Sequence, residues 1–223
     1  VSEKPWEDCR EVPWVSPRLP DAPPLVGVGG NLQPPMLLRA YTEGIFPWFS
    51  EGDPLYWWSP EPRAIFDLHA GMYISKRLAR TIRSGKFQTT VNREFETVMR
   101  SCGENRDEGT WVTAEMLRAY ATLHRLGFAH SVEAWQDGEL AGGVYGVAIN
   151  GFFAAESMFF RRTDGSKVAL AALFEHLRER GYLLLDTQML TEHTESLGGF
   201  NIHRKTYLDL LDHALEYDDV TFV

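Results

Sequence analysis

The stretch His130–Phe160, HSVEAWQDGELAGGVYGVAINGFFAAESMFF, sets the architecture of the chain. Three strands are predicted in it, His130 to Trp135, Glu139 to Ile149 and Phe152 to Phe160. β-Branched and aromatic residues fill these runs, and turn dipeptides separate them. Asp137-Gly138 and Asn150-Gly151 are strong two-residue hairpin signals, so the three strands form an antiparallel meander. Ser166 then suits the cap of a helix to about Arg180. The first half of that helix, Val168 to Phe174, is apolar all round and must be deeply buried. Gly181 stops it, and Tyr182 to Gln188 reads as a further strand. A mixed sheet with helices on its faces results, an α+β plan.

Upstream, Ala114 to Leu126 reads as a helix with Met116, Leu117, Tyr120 and Leu123 on one side and Gly127 as its stop. Before it, Asn92 is expected to cap a helix whose Phe95, Val98, Met99 and Cys102 have core spacing. Phe87 to Val91 is a strand. Ser75 caps a helix ending near Gly85, with Leu78 and Ile82 facing the core. At about 100° per residue, Lys76, Arg80 and Arg83 fall together on its opposite side, flanked by Arg77. Arg63 to Leu68 is a strand that opens the larger unit. Pro34 and Pro35 open a helix to about Glu43. Residues 1–26 are irregular and Pro-rich, and LVGVGGN at Leu25 to Asn31 lacks the strand-to-helix setting of a phosphate loop. Downstream, a last helix spans roughly Lys205 to Glu216. The expected division is a small N-terminal domain over residues 1–61 and a second domain over 62–223.

Between the first helix and the Arg63 strand lies YTEGIFPWFSEGDPLYWWSPEPR, Tyr41 to Arg63. Its four prolines forbid one continuous helix or central strand. It nevertheless gathers Phe46, Trp48, Phe49, Tyr56, Trp57 and Trp58. Such a loop either packs on a neighbouring unit or offers rings to a ligand; Trp57 and Trp58 are read as packing.

At 223 residues the chain can bury a good core. A net charge of −9 taken alone argues against nucleic-acid binding, so an RNA partner would need a clustered positive patch, such as the one around Lys76. No apolar run approaches the ~20 residues of a membrane span, and no charged-then-apolar leader opens at Val1. Cys9 and Cys102 form no CxxC, and the histidines form no HExxH. A reducing, cytoplasmic setting without metal or cofactor is expected.

Three polar residues stand among apolar neighbours: Glu156 in FFAAESMFF, and Asp186 and Gln188 in YLLLDTQML. Spacing by two puts Asp186 and Gln188 on one face of their strand. A carboxylate in such surroundings is costly unless paired. For Glu156 the partner is either internal (Arg161, Arg162, Lys167 or a backbone donor) or arrives with the substrate.

GIFPWFS and WWSPEPRA, then EGTWVT at Glu108 to Thr113, HSVEAW, ESMF, LLDTQ and HTESLGG carry a resemblance to the leucyl/phenylalanyl-tRNA protein transferases. It covers nearly all of the chain beyond about Gly27. The meander, helix and strand are also similar to the acetyltransferase superfamily, and the resemblance implies a GNAT-like catalytic body. It implies transfer of Leu or Phe, with Met as a third donor side chain, from aminoacyl-tRNA to proteins beginning with Arg or Lys. The products would be marked for degradation. Gln188 would orient the attacking amine, Asp186 would strengthen that acceptor, and Glu156 would hold the cation of the acceptor protein. Trp48 and Trp111 would sandwich the terminal adenosine. Val144, Phe153, Met158 and Leu170 would line the aminoacyl pocket, although Val144 and Leu173 depart from the family's usual residues. Lys76, Arg77, Arg80 and Arg83 would meet the tRNA acceptor stem. A monomer without DNA or membrane partners is expected. Two other readings stay open: a coenzyme A-dependent N-acetyltransferase, disfavoured by the single glycine in RRTDGSK (Arg161 to Lys167), and a non-catalytic RNA- or peptide-binding module.

Overall fold

The computed structural model describes residues 4–9, 11–104 and 112–223. In chain order the elements are β1 (Leu25–Val28), α1 (Pro34–Thr42), β2 (Phe46–Pro47), β3 (Tyr56–Trp58), β4 (Arg63–Phe66), α2 (Lys76–Arg83), β5 (Gln88–Val91) and α3 (Phe95–Gly103). Then come α4 (Ala114–Arg125), β6 (Ala129–Gln136), β7 (Glu139–Ile149), β8 (Phe152–Phe160), α5 (Gly165–Glu179), β9 (Leu184–Gln188), α6 (Glu192–Ser196), β10 (Phe200–Ile202) and α7 (Arg204–Leu215). They build two sheets. A small one has the order β1-β3-β2, and a seven-stranded one has the order β10-β4-β9-β8-β7-β6-β5. The fold is therefore α+β.

The meander forms as expected, with β6, β7 and β8 paired antiparallel. Asp137 and Gly138 both take positive φ, as the first hairpin needs. After β8 the chain crosses through α5 and returns as β9 parallel to β8. The apolar first half of α5 is buried, from Val168 through Leu173 to Phe174. Alternation along the strands feeds two cores. Tyr145, Val147, Phe152 and Leu184 join the cluster under α1, α3, α4 and α7. Val144, Phe153 and Leu185 join the one under α5. The first cluster also takes in Leu37, Ile45 and Trp57 of the N-terminal part, so the small sheet shares a core with the large one. Trp57 is fully buried and donates its indole N–H to Gly29 O. Gly44 ends α1 at φ 74°, where a Cβ would lie 2.6 Å from Leu208 Cδ2 on α7.

Three local expectations are corrected. Asn92 does not cap α3, which begins at Phe95 after Glu94. Asn92 instead turns at φ 58° and accepts from Ser131 N. The buried Glu133 on β6 reaches the Arg93 and Glu94 N–H groups, so a carboxylate from the sheet takes the capping role. Ser166 does not cap α5 either. It is buried inside the first turn, and the residue before the helix is Asp164 in the left-handed region. Asp164 makes no cap of its own, because its carboxylate is taken by Arg77 and Thr81 of α2. Ile82 is 37% exposed rather than core-facing; α2 is only eight residues long and buries Leu78 alone.

Candidate active site

Pairing between β8 and β9 ends at Ala154 opposite Asp186. The residues beyond that point, Ala155 to Met158 on one strand and Thr187 and Gln188 on the other, line a pocket of about 760 Å³. Phe46, Pro47 and Trp48 close one side, and Thr191, His193 and Thr194 around α6 contribute to another. Two neighbouring strands that stop pairing leave backbone and side chains free to face a ligand.

The polar end of this pocket is tightly built. Gln188 has a φ of 66°, unusual for a residue with a side chain. Its backbone N–H donates to Asp186 Oδ1 at 2.8 Å. Its side-chain Nε2 donates to Glu156 Oε1 at 2.6 Å. That bond commits the amino side of the carboxamide to Glu156 and leaves the carbonyl oxygen as an acceptor for a ligand. Tyr120 O–H reaches Glu156 Oε2 at 3.5 Å and is itself joined to the Tyr41 hydroxyl. Burial raises the Glu156 carboxyl to about 8, with the charge of Asp186 pushing the same way. Hydrogen bonds from Tyr41 and Gln188 and the charge of Arg63 act against that rise. The Tyr41 and Tyr120 phenols are pushed well above their usual value, first by burial and then by Glu156. A carboxyl raised to about 8 is mostly protonated near neutrality.

Asp186 is fully buried and bound on both oxygens. Arg63 meets it with Nε at 2.9 Å and Nη2 at 2.6 Å. Tyr207 O–H donates to Asp186 Oδ2 at 2.9 Å. Burial works against the Arg63 charge, and Asp186 beside it more than offsets this. The Asp186 carboxylate is paired with Arg63, and its direct contact to Gln188 is through the backbone N–H. The left-handed turn at Gln188 aims its side chain at Glu156.

None of the internal partners expected for Glu156 is used. Arg161 pairs with Glu104 and Arg162 with Glu139, both near the surface. Lys167 stands at the start of α5 and helps lower the pKa of His193, whose main depression comes from burial. The N-terminus of α5 itself is packed against β7: a Cβ on Gly142 would lie 2.5 Å from the Gly165 carbonyl carbon.

Val144, Met158 and Leu170 line the apolar part of the pocket, joined by Phe66 and Ala155. Phe153 does not. It belongs to the same core under α5 as Val144 and Leu170 but sits nearer the start of β8, where it stacks on Phe222 with centroids 5.4 Å apart. Trp48 lines the pocket and is 42% exposed. Its ring meets Trp58 edge-on, and Trp58 donates its indole N–H to Trp48 O. Trp111 lies outside the described residues. Lys76, Arg77, Arg80 and Arg83 are all at least partly exposed on α2. Arg77 is bound to Asp164, and the other three make no salt bridge among the described residues.

Sequence reasoning missed Arg63, Tyr207, Tyr41 and Tyr120. A signal for Arg63 existed: a charge inside the apolar strand RAIF asks for a partner as strongly as Asp186 does. The tyrosines sit at core spacing on their helices, and nothing in that spacing separates a phenol that packs from one that also bonds.

Two family models match this chain. A family model described as leucyl/phenylalanyl-tRNA protein transferase matches residues 65–212. The model for that family's N-terminal domain matches residues 30–61. The chain is 48% identical over 204 residues to the leucyl/phenylalanyl-tRNA protein transferase of Desulfatibacillum aliphaticivorans, covering 90% of this chain and 87% of that one. It is 49% identical over 197 residues to the enzyme of that name from Magnetococcus marinus, covering 86% and 83%. Among solved structures, the C-terminal domain of a putative lysylphosphatidylglycerol synthetase from Agrobacterium fabrum matches with TM-score 0.40 and 16% identity, over 83% of this chain and 57% of that one. A ribosomal-protein-alanine N-acetyltransferase from Brucella melitensis biovar Abortus matches with TM-score 0.36 and 14% identity, over 49% and 84%.

Proposed function

The chain belongs to the leucyl/phenylalanyl-tRNA protein transferases, and from that premise we propose how its pocket carries out aminoacyl transfer. It is an aminoacyltransferase: the acyl donor is an aminoacyl-tRNA and the acceptor is the α-amine of a protein. The donor side chain, Leu or Phe and less selectively Met, enters the apolar wall of Val144, Met158 and Leu170. Such a wall separates similar side chains by only about 1–3 kcal/mol per methylene. The terminal adenosine stacks on Trp48 and Trp111, each stacked base contributing roughly 1–3 kcal/mol. The acceptor stem runs over Lys76, Arg80 and Arg83, with Arg77 holding α2 to α5. This donor and the acceptor protein meet in one protomer of a cytoplasmic chain.

The reaction is aminolysis. The acceptor's amine nitrogen forms a bond to the ester carbonyl carbon, the carbon–oxygen bond to the ribose breaks, and the tRNA hydroxyl leaves while the amine gives up a proton. An α-amine has a free pKa of about 7.7–8.0 and is nucleophilic near neutrality without a covalent enzyme intermediate. The carbonyl oxygen of Gln188 accepts a hydrogen bond from that amine and gains strength as positive charge builds on nitrogen. Holding two reactive groups together supplies most of the acceleration. Glu156 lies beside them as the partner for the cation of an N-terminal Arg or Lys, and that cation draws off the proton that burial retains. Degradation of the modified protein would follow from other components.

The observation that carries this reading is the carboxamide of Gln188, fixed at both backbone and side chain and lining the pocket beside an apolar wall and an indole. Radiolabelled Leu-tRNA or Phe-tRNA mixed with a protein bearing N-terminal Arg should place label in that protein. Label that stays in tRNA with every acceptor would overturn the reading.

A further inference from the structure

We propose that Arg63 is a positioning residue for the transfer step: through Asp186 it holds the left-handed turn at Gln188, and it ties that turn to the pocket wall at Phe46. The proposal rests on the reading of Gln188 as the group that orients the amine.

Arg63 is 1% exposed and donates from all three guanidinium nitrogens. Nε and Nη2 fork onto the two oxygens of Asp186, and Nη2 also reaches Tyr207 O–H at 3.2 Å. Nη1 donates to Gly44 O at 2.9 Å, on the N-terminal side of the molecule. The guanidinium carbon lies near two rings, 5.0 Å from the Phe46 centroid and 4.3 Å from that of Tyr207. Phe46 lines the pocket. One planar, rigid group therefore fixes the carboxylate, the loop after α1 and one wall of the site.

The consequence falls on Gln188. A left-handed backbone disfavours any side chain larger than glycine, and it persists only where its surroundings hold it. Here the backbone is held by the bond from Gln188 N–H to Asp186 Oδ1, and the side chain by its bond to Glu156. Asp186 can serve that bond only while its own charge is met and its plane is fixed, which Arg63 and Tyr207 do together. Free Asp186 to rotate, and the Gln188 turn loses its acceptor; the carboxamide then swings from the pocket. Arg63 touches neither donor nor acceptor substrate, so its part in the reaction is indirect.

The test uses Arg63→Lys and Tyr207→Phe in the full chain, alone and combined with Gln188→Ala. Lysine keeps the charge and loses the fork. Expected for Arg63→Lys is a fall in kcat on the order of 10²-fold, the scale of a displaced reacting group. KM for the aminoacyl-tRNA and binding of a stable 3′-aminoacylamide adenosine should stay within about twofold, since Trp48, Val144, Met158 and Leu170 are kept and the substituted lysine still places a cation beside Phe46. Tyr207→Phe should follow in the same direction by a smaller factor. In the Gln188→Ala background neither change should cost much more, because Arg63 acts through the residue already removed. Wild-type kcat in a folded Arg63→Lys, or an equal loss with and without Gln188, overturns the proposal. Should Arg63→Lys fail to fold, Tyr207→Phe decides by the same two comparisons. Full activity of Gln188→Ala alone would instead overturn the reading of Gln188, a separate failure.

Discussion

Arg63 and Asp186 meet in a space with no more than 1% exposure, while Lys76, Arg80 and Arg83 reach water on α2. Both regions are built from charge, yet the charge does different things. At the buried pair every guanidinium nitrogen and both carboxylate oxygens are bonded, geometry is fixed, and leaving either partner alone would cost about 3–5 kcal/mol. On α2 each cation is replaceable by its neighbour, and what matters is the summed field, which salt screens within about 8–10 Å. The first region suits a chemical step that needs one orientation. The second suits a long polyanion that arrives from many directions. α5 joins them: Asp164 at its start receives Arg77, and Leu170, about 9 Å further along at roughly 1.5 Å per residue, lines the pocket.

The sharpest way to break this contrast is at Gln188. Gln188→Ala removes the proposed amine acceptor and should lower kcat by on the order of 10²–10³-fold, the range seen for loss of one well-placed polar group. Affinity for aminoacyl-tRNA should hold. Single-turnover transfer and filter binding measure the two separately, and parallel losses would make Gln188 a folding residue. Reversing Lys76, Arg80 and Arg83 together to Glu should do the opposite. Binding of tRNA weakens, and kcat at saturating tRNA stays near wild type. The slope of log affinity against log salt flattens by roughly 0.7–0.9 for each phosphate that is no longer neutralised. An unchanged salt slope would remove α2 from the interface.

Glu156 tests the boundary between the two regimes, since it is half-buried and is proposed to meet a charge that arrives with the acceptor. Glu156→Gln should raise KM for acceptors with N-terminal Arg about tenfold, the scale of one charge-assisted hydrogen bond, and leave tRNA affinity alone. The linkage sign is defined. The folded carboxyl titrates near 8 and the unfolded one near 4.5, so the folded state binds more protons between those values. Stability from this group is therefore full below about pH 4.5 and declines as pH rises toward 8. Melting temperatures of Glu156→Gln should lack that decline; equal slopes in both proteins would show that Glu156 is not held protonated by the fold.

How much of this was visible in the chain follows the same division. The meander, α5 and the buried turns of α3 and α4 were legible because apolar period and turn chemistry are local. Glu156, Asp186 and Gln188 stood out because polar groups in apolar runs are costly anywhere. What could not be read was pairing at a distance: Arg63 to Asp186 spans 123 positions, and Tyr207 closes the group from the far end of the chain. The cap of α3 failed for the same reason, since Glu133 arrives from a strand 39 positions away and displaces the local candidate Asn92. Phe153 was misplaced because it shares the core of Val144 and Leu170 under α5, and composition does not say how far along the strand the pocket reaches.

The smallest effect expected is at the start of α2. Ser75 accepts the Leu78 N–H at 3.2 Å, and Leu78 is the only buried residue of that helix. No acidic residue lies in its first turn, so the helix dipole meets Lys76 and Arg77 instead of a favourable charge. α2 is thus held by one cap, one leucine and the bonds of Arg77 and Thr81 to Asp164, and its basic face is only as ordered as those allow. Ser75→Ala should cost about 1 kcal/mol of helix stability. In urea unfolding the change is small. In tRNA binding it should appear as a modest loss of affinity with an unaltered salt slope, because the cations remain and only their scaffold loosens. A flattened slope would mean that Ser75 touches the RNA itself, and an unchanged affinity would mean that the cationic face works whether or not the helix is formed.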